Sequence, residues 1–111
     1  MVAALTVSVM ALDEGCFVEL AGELDISTAS ILRAHMDVVR SRVLIDCRGL
    51  VFVDSVGLGE LMRIANRVES ILLARPSEQL RRVVELMGLA ETLKLSRDVT
   101  LAQWRSEMFE R

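Results

Sequence analysis

The sequence predicts an α/β fold: one domain with a mixed, mostly parallel sheet of four to five strands and about four helices. Short apolar or alternating runs, such as residues 5–11 and 43–47, have the length and pattern of strands. Amphipathic segments lie between and after these runs, and such alternation is typical of right-handed crossovers in a parallel sheet. The chain has 111 residues, of which 52% are hydrophobic, so we assign residues 1–111 to a single domain with a filled core.

The first two strands are predicted to form a hairpin. Residues 5–11 alternate between apolar and polar side chains, and residues 16–21 form the second strand. The turn between them, at residues 13–15, contains Gly15, which permits the backbone conformations of tight turns. Strands joined by so short a turn are antiparallel.

The helix after the hairpin is predicted to begin at Ser27 or Thr28 and to end near residue 40. His35, the only histidine, is expected at the edge of the core, with its imidazole bonded to a backbone carbonyl and not acting as a catalytic base. The side chains expected on the apolar face of this helix are Ile31, Leu32, Ala34, Met36, Val38 and Val39.

The third strand is predicted at residues 43–47, because an unbroken apolar run suits a central parallel strand covered on both faces. The chain then continues extended to Val53, and a helix follows Ser55. We expect this helix to expose Glu60, Arg63 and Arg67, with Glu60 and Arg63 paired on its surface because they are three residues apart.

The last third of the chain predicts two more strands and two more helices. Residues 71–74 form the fourth strand, and residues 75–77 open a helix that ends at Gly88 in a Schellman-type cap. Residues 93–95 are expected to form a fifth strand at the sheet edge. The final helix is expected to be capped by Asp98 and to carry Leu101, Trp104 and Met108.

The composition excludes several classes of partner. The net charge is −3, no basic run exceeds Arg81-Arg82, and the aromatic content is 4%, which argues against nucleic acid. Cys16 and Cys47 lie in apolar segments without C-x-x-C spacing, so we interpret them as reduced core residues of a cytosolic protein. No apolar run reaches the length of a membrane span, and we expect a cytoplasmic protein.

Two turns are predicted to meet at one edge of the sheet. If the second and third strands are parallel, residues 22–28 and 54–59 lie together at their carboxyl ends, where α/β sheets bind ligands and partners. Asp25, Thr28, Asp54 and Ser55 would then share a small surface. Ser55 lies near a helix N-terminus, where it is either a plain N-cap or a hydroxyl that accepts a phosphate.

The glycines that follow Ser55 allow two interpretations. Gly57 and Gly59 each cost a helix about 1 kcal/mol relative to alanine, so each needs a reason. Either a neighbouring element of the domain approaches the backbone closely, or a partner protein packs across the turn.

The motifs of common catalytic sites are absent from the sequence. Val53 stands where the nucleophile elbow of hydrolases requires a glycine, and residues 57–59 do not continue into a dinucleotide-binding or P-loop pattern. No His, Cys and Asp cluster has the spacing of metal ligands. We therefore expect no catalytic residue, no metal and no cofactor.

Two motifs carry a resemblance to a known family. Gly22-Glu23-Leu24-Asp25 and Asp54-Ser55-Val56-Gly57-Leu58-Gly59 resemble the motifs of the anti-sigma factor antagonists, the bacterial STAS domains. The similarity covers residues 7–95 in element order and spacing. It implies that an anti-sigma factor serine kinase phosphorylates Ser55 and that a serine phosphatase restores the hydroxyl. It also implies that the unmodified protein binds the kinase and frees a sigma factor, and that Asp25 is the loop aspartate beside the phosphorylation site.

The resemblance leads us to expect a kinase substrate and not an enzyme. The expected partner-binding residues are Asp25, Thr28, Asp54, Ser55, Val56, Gly57, Leu58 and Gly59. Two alternatives remain open. The chain could be a STAS scaffold subunit of a sensory or lipid-transport complex that is never phosphorylated, or a small nucleotide-binding or hydrolytic protein that uses Ser55 and Asp54.

Overall fold

A computed structural model describes residues 4–109, with side chains described to residue 107. It contains a five-stranded mixed sheet and four helices, which confirms the predicted fold class. In chain order the elements are β1 (Leu5–Ala11), β2 (Gly15–Leu24), α1 (Ala29–Met36), β3 (Arg42–Val53), α2 (Ser55–Arg67), β4 (Ser70–Ala74), α3 (Glu78–Leu86), β5 (Lys94–Ser96) and α4 (Leu101–Phe109).

The strands lie in the sheet in the order in which they occur in the chain. β1 pairs antiparallel with β2, as the hairpin prediction required. The pairs β2–β3, β3–β4 and β4–β5 are parallel. Because parallel strands end at the same edge of a sheet, the turns after β2 and β3 meet there.

Apolar side chains cover both faces of the sheet. On one face, α1, α2 and α3 contribute residues such as Leu32, Leu61 and Val84 to the larger part of the core. On the other face, Trp104 of α4 packs against Leu44 and Ala74. This two-sided cover explains why β3 reads as a continuous apolar run.

Both cysteines are free and buried, as predicted. Burial, with a smaller contribution from the neighbouring Asp46 carboxylate, raises the pKa of the Cys47 thiol to about 12. Burial also raises the pKa of Cys16. Neither thiol is therefore a nucleophile near neutral pH.

Strand β2 is longer than predicted, because its backbone pairing with β3 continues through Gly22 and Glu23 to the buried Leu24. Gly22 lies inside the strand, next to a register shift in its pairing with β3. Its φ of +107 is a conformation that glycine adopts readily. A Cβ at this position would lie 2.2 Å from the Ala4 carbonyl oxygen, so the site also excludes any other side chain.

Helix α1 is shorter than predicted and ends at Met36. The Asp37 N–H donates to the Arg33 carbonyl and closes the last turn. The chain then leaves the helix, and Val38 is 87% exposed. His35 is also exposed, which corrects its predicted place at the edge of the core. Its Nδ1 lies 2.8 Å from the Ile31 carbonyl oxygen, so the expected bond to a backbone carbonyl is present.

The predicted apolar face of α1 is only partly correct. Leu32 and Met36 are buried, and Val39 is half-buried against the core. Ile31 and Ala34 are exposed, because a helix of eight residues turns only a narrow stripe toward the sheet.

The caps of the last two helices follow local chemistry. Gly88, with a φ of +69, donates to the Glu85 carbonyl while Leu89 donates to the Val84 carbonyl, which is the Schellman pattern predicted for the end of α3. At the start of α4, Thr100 and Gln103 exchange side-chain to backbone hydrogen bonds, so the cap is Thr100 and not Asp98. The side chain of Met108 lies outside the described residues.

The prediction that Glu60 is exposed is wrong. Glu60 is 2% exposed and lies between α1 and α2. Its Oε1 accepts hydrogen bonds from Arg33 at 3.0 and 2.9 Å, and its Oε2 accepts one from Arg63 at 3.0 Å. Asp37 accepts from Arg63 and from Arg67 at the rim of the same cluster. The pairing of Glu60 with Arg63 is thus correct, but it belongs to a charged network that joins two helices.

Candidate functional site

Asp54 organises the turn between β3 and α2. It is the N-cap of α2, and its Oδ1 accepts a hydrogen bond from the Gly57 N–H at 2.8 Å. Its Oδ2 accepts from the Ile26 N–H at 3.1 Å, in the loop after β2. Its own N–H donates to the Leu24 carbonyl. One residue therefore caps the helix and fixes the two turns to each other.

Ser55 is the first residue of α2, so the cap role belongs to its neighbour. The side chain is exposed, and its hydroxyl makes no hydrogen bond to any other residue of the range 4–109. It stands beside the unpaired N–H groups of the helix N-terminus, where the helix dipole favours an anion. The arrangement leaves an accessible hydroxyl on a rigid backbone.

Asp25 shapes its own loop. Its Oδ1 accepts hydrogen bonds from the Ser27 N–H at 2.9 Å and the Ser27 hydroxyl at 2.7 Å, and the Thr28 hydroxyl oxygen lies 3.2 Å away. The hydrogen bond from the Ser27 hydroxyl is the main reason that the pKa of Asp25 lies below its usual value. Within residues 4–109 no hydrogen bond joins Asp25 to Ser55, so the contact between the two turns runs through Asp54.

Thr28 is 2% exposed, which removes it from the predicted partner surface. Its hydroxyl donates to the Glu23 carbonyl at 2.8 Å and accepts from the Asp25 N–H at 2.9 Å. These bonds hold the loop closed from the inside. A buried threonine satisfied in this way is a structural residue.

Gly57 and Gly59, the two glycines after Ser55, lie in different environments. A Cβ on Gly57 would lie 2.2 Å from the Leu24 carbonyl oxygen, so this glycine lets α2 start against the end of β2. Gly57 is buried, so it is not accessible to a partner, contrary to its assignment to the partner surface. A Cβ on Gly59 would meet nothing within 4 Å. Of the two interpretations, close internal packing applies to Gly57, and a partner approach stays open for Gly59.

The two turns at this sheet edge also carry exposed apolar residues. Val56 is 43% exposed and Ile26, whose N–H donates to Asp54, is 77% exposed. On the other side a groove of about 140 Å³ runs between the start of α2 and α3. Leu58 is 4% exposed and reaches the surface only as part of this groove.

Sequence reasoning missed the residues that come from other elements. The groove is also lined by Leu80 and Val83 of α3 and by Met87 directly after it, and all three lie more than twenty positions after Ser55. Only the tertiary fold brings them there. Ile26 gave a local signal, because an isoleucine between Asp25 and Ser27 interrupts an otherwise polar loop.

Within residues 4–109 two kinds of feature are absent. No three His, Cys, Asp or Glu side chains lie together as metal ligands would. None of the described helices combines the length and apolar character that a membrane crossing requires.

Comparisons with known proteins agree with this architecture. An anti-sigma factor antagonist from Mycobacterium paratuberculosis is 26% identical, with a TM-score of 0.78 over 93% of this chain and 92% of that one. The Bacillus cell fate determinant SpoIIAA in its phosphorylated form is 22% identical, with a TM-score of 0.71 over 93% and 99% of the two chains. A sulfate transporter family protein from Wolinella succinogenes is 17% identical, with a TM-score of 0.72 over 91% of each chain.

The last two of these proteins are too distant to indicate more than a shared fold. A search of curated protein sequences gave no significant match. The family model described as "Mlab, STAS domain" matches residues 7–99, which include most of β1, the other four strands and the first three helices. Because this match covers most of the sequence, the chain belongs to the STAS domain family.

Proposed function

We propose that this chain is an anti-sigma factor antagonist whose binding to an anti-sigma factor serine kinase is switched by phosphorylation of Ser55. The observation that carries the proposal is the exposed, unbonded Ser55 hydroxyl at the first position of α2. The anti-sigma factor antagonist from Mycobacterium paratuberculosis, with which the chain shares 26% identity, supports the same function. In this role the chain is the substrate of an enzyme and not an enzyme itself.

The unmodified surface suits a protein partner. Ile26 and Val56 are exposed in the two turns that meet at Ser55, and Ser55 itself lines the apolar groove beside α3. Burying such side chains in an interface stabilises it by about 25 cal/mol for each Å² of apolar area removed from water. The partner-binding residues that we retain are Asp25, Ser55, Val56 and Gly59, with Asp54 and Leu58 beneath them and Ile26 added.

Phosphorylation changes the charge at the centre of this surface by about −1.5 to −2 at neutral pH. In the free domain the N-terminus of α2 favours the phosphate, while the Asp54 carboxylate repels it, and water screens both effects. The fold should therefore survive the modification. In a closed interface the phosphate would be desolvated against a surface that fits a neutral hydroxyl.

The cost of that desolvation sets the size of the switch. A charge left buried and poorly paired at an interface costs about 2 to 5 kcal/mol. This corresponds to a loss of about 30-fold to several thousandfold in affinity. Electrostatic exclusion from the interface thus separates the two states without a conformational change, and a serine phosphatase would return the chain to the binding state.

The proposal is tested with variants of Ser55 and the anti-sigma factor kinase of the native organism. Ser55→Ala should bind this kinase constitutively and resist phosphorylation, and Ser55→Glu should bind weakly while melting near the wild-type temperature. Ser30→Glu is the matched control, because Ser30 is an exposed serine in the first turn of α1. Calorimetry in which Ser55→Glu binds as tightly as Ser55→Ala would overturn the mechanism.

A second candidate is a STAS scaffold subunit of a sensory or lipid-transport complex in which Ser55 is never phosphorylated. The matching family model is described as "Mlab, STAS domain" and does not mention anti-sigma factors, which favours this alternative. Mass spectrometry of the protein isolated from its native cells separates the candidates. Phosphate on Ser55 supports the switch, and its absence under all growth conditions supports the scaffold.

A further inference from the structure

The outer edge of β1 is an open strand edge. β1 is the first strand of the sheet and pairs only with β2. From Thr6 to Ala11 the strand is exposed or half-buried, and within residues 4–109 no backbone group outside β2 hydrogen-bonds to it. An uncovered edge presents unpaired N–H and C=O groups that can pair with another strand.

The register between β1 and β2 shows which backbone groups point outward. The Ala4 carbonyl accepts from the Glu23 N–H, and the Leu12 N–H donates to the Gly15 carbonyl. In an antiparallel pair, hydrogen-bonded positions recur at every second residue. The even-numbered residues of β1 therefore bond to β2, whereas the N–H and C=O groups of Leu5, Val7, Val9 and Ala11 face away from the sheet.

Strand β1 has none of the features that usually block an open edge. It has seven residues, no charged side chain and no proline, and its pairing with β2 has no register shift. Natural edge strands are commonly short, charged, bulged or interrupted by proline. β5, at the opposite edge, follows this rule, since it has three residues and includes Lys94.

We propose that β1 pairs antiparallel with β1 of a second copy of this chain, around a two-fold axis that passes beside Ser8. This register is the one in which all four outward-facing residues form hydrogen-bonded pairs. Val7 then pairs with Val9 of the second copy, and Leu5 pairs with Ala11 of the second copy. About eight hydrogen bonds join the two strands, because each such pair exchanges two.

The side chains that face each other across the proposed β1–β1 pair are compatible. The register places valine beside valine on one face, and such β-branched pairs stabilise a sheet. On the other face Ser8 meets Ser8, and Thr6 meets Met10 of the second copy. No like charges face each other along the strand. Val9 and Met10, which are 39% and 50% exposed in the single chain, lose part of this exposure.

The dimer leaves the Ser55 surface free. The two-fold axis is perpendicular to the sheet, so the parallel strands of the two copies run in opposite directions within one ten-stranded sheet. The edges that carry Ser55 then lie at opposite ends of the dimer. Two partners can bind independently, and the dimer forms whether or not Ser55 is phosphorylated.

Disulfide crosslinking of the full chain tests the register. Residues facing each other at a non-hydrogen-bonded position have Cα atoms about 4.5 Å apart, which a disulfide can span. Ser8→Cys should therefore give a covalent dimer under mild oxidation. Thr6→Cys alone should not, because its two copies lie about 13 Å apart along the strands. An equimolar mixture of Thr6→Cys and Met10→Cys should crosslink. The native cysteines are buried and do not interfere.

Sedimentation of wild type and Val9→Pro gives an independent test. Proline at position 9 removes an outward N–H and leaves the bonds to β2 intact, and edge strands tolerate proline at such positions. The dimer dissociation constant should rise about tenfold or more, because two hydrogen bonds are lost per dimer. A wild-type chain that stays monomeric up to millimolar concentration, or Ser8→Cys that crosslinks no faster than Thr6→Cys, would overturn the proposal.

Discussion

Ile26 and Asp54 are joined across the sheet edge by a hydrogen bond of 3.1 Å from the Ile26 N–H to the Asp54 Oδ2. The same carboxylate caps α2 through the Gly57 N–H. The residue before Ser55 thus holds the serine and the loop after β2 in one rigid unit. Such preorganisation would favour the proposed recognition of Ser55 by a kinase, because less entropy is lost on binding.

Removing the Asp54 carboxylate should destabilise the domain. Asp54→Ala loses an N-cap, which is worth about 0.5–2 kcal/mol, and a second hydrogen bond worth about 1 kcal/mol. Asp54→Asn keeps one acceptor oxygen and should lose about half as much. Urea unfolding measures both, with Asp13→Ala in the exposed β1–β2 turn as the control. Equal stability of Asp54→Ala and wild type would show that the carboxylate does not fix the turn.

The sequence was sufficient to predict the order of the strands and helices and to predict that the two turns meet at one sheet edge. Alternation of strands and helices predicts parallel strands, and parallel strands bring residues 22–28 and 54–59 to one edge. The sequence could not decide between Asp54 and Ser55 as the N-cap, because both residue types cap helices well. The structure decides it through the Asp54 hydrogen bonds.

The residues whose environment was predicted wrongly contact residues that are distant in the chain. Glu60 and Arg63 suggested a surface pair, but Arg33, which lies 27 positions before Glu60, packs over the carboxylate and buries it. Gly57 is required by the Leu24 carbonyl, 33 positions earlier. Local patterns carry no information on such contacts, so these two positions could be assigned only from the fold.

The pKa of Asp25 should depend on Ser27. The hydroxyl of Ser27 donates to the Asp25 carboxylate and favours its charged form, which lowers the pKa. Ser27→Ala should raise the pKa of Asp25 part of the way to its usual value, because the Ser27 N–H bond remains. A carboxyl-carbon NMR titration measures this shift. Ser30→Ala, on α1, should leave the titration of Asp25 unchanged, and an unaltered pKa in Ser27→Ala would contradict the assignment.

The lowered pKa of Asp25 also determines how the stability of the fold changes with pH. A carboxylate whose pKa is lower in the folded chain stabilises the fold above its unfolded pKa of about 4. This contribution is lost as the pH falls through the folded value. Asp25→Asn should therefore make the free energy of unfolding less sensitive to acid below about pH 4. Denaturation curves between neutral and acidic pH test this, and parallel curves for wild type and Asp25→Asn would contradict it.

Removing Glu60 should destabilise the domain less than removing the two arginines that pair with it. The Arg33 and Arg63 side chains are 54% and 32% exposed, so they can turn to water when Glu60 is removed. Glu60→Gln should therefore cost only about 1–2 kcal/mol. The double variant Arg33→Ala/Arg63→Ala leaves a buried carboxylate without a cation and should cost about 3–5 kcal/mol. Urea unfolding at neutral pH compares the two, and equal losses would show that Glu60 gains water when its partners leave.

Gly57 and Gly59 provide a matched pair, since they lie two residues apart in the first turns of α2. Gly57→Ala places a Cβ against the Leu24 backbone, which cannot move without disturbing the end of β2, and overpacking of this kind costs about 1–3 kcal/mol. Gly59→Ala meets open space and should gain about 0.5–1 kcal/mol from helix propensity. Thermal unfolding should thus separate the two alanine variants in opposite directions.

The binding role proposed for Gly59 needs a larger side chain at the same position. Gly59→Arg has room in the free domain and should melt near the wild-type temperature, because the position is exposed. At the proposed interface the arginine would occupy the space where the partner approaches α2, and affinity for the anti-sigma factor kinase should fall by about tenfold or more, as expected for steric overlap with the loss of well-packed contacts. Arg82→Ala on α3 serves as a surface control. Wild-type affinity in a folded Gly59→Arg variant would place the partner elsewhere and leave Gly59 as a tolerated surface glycine.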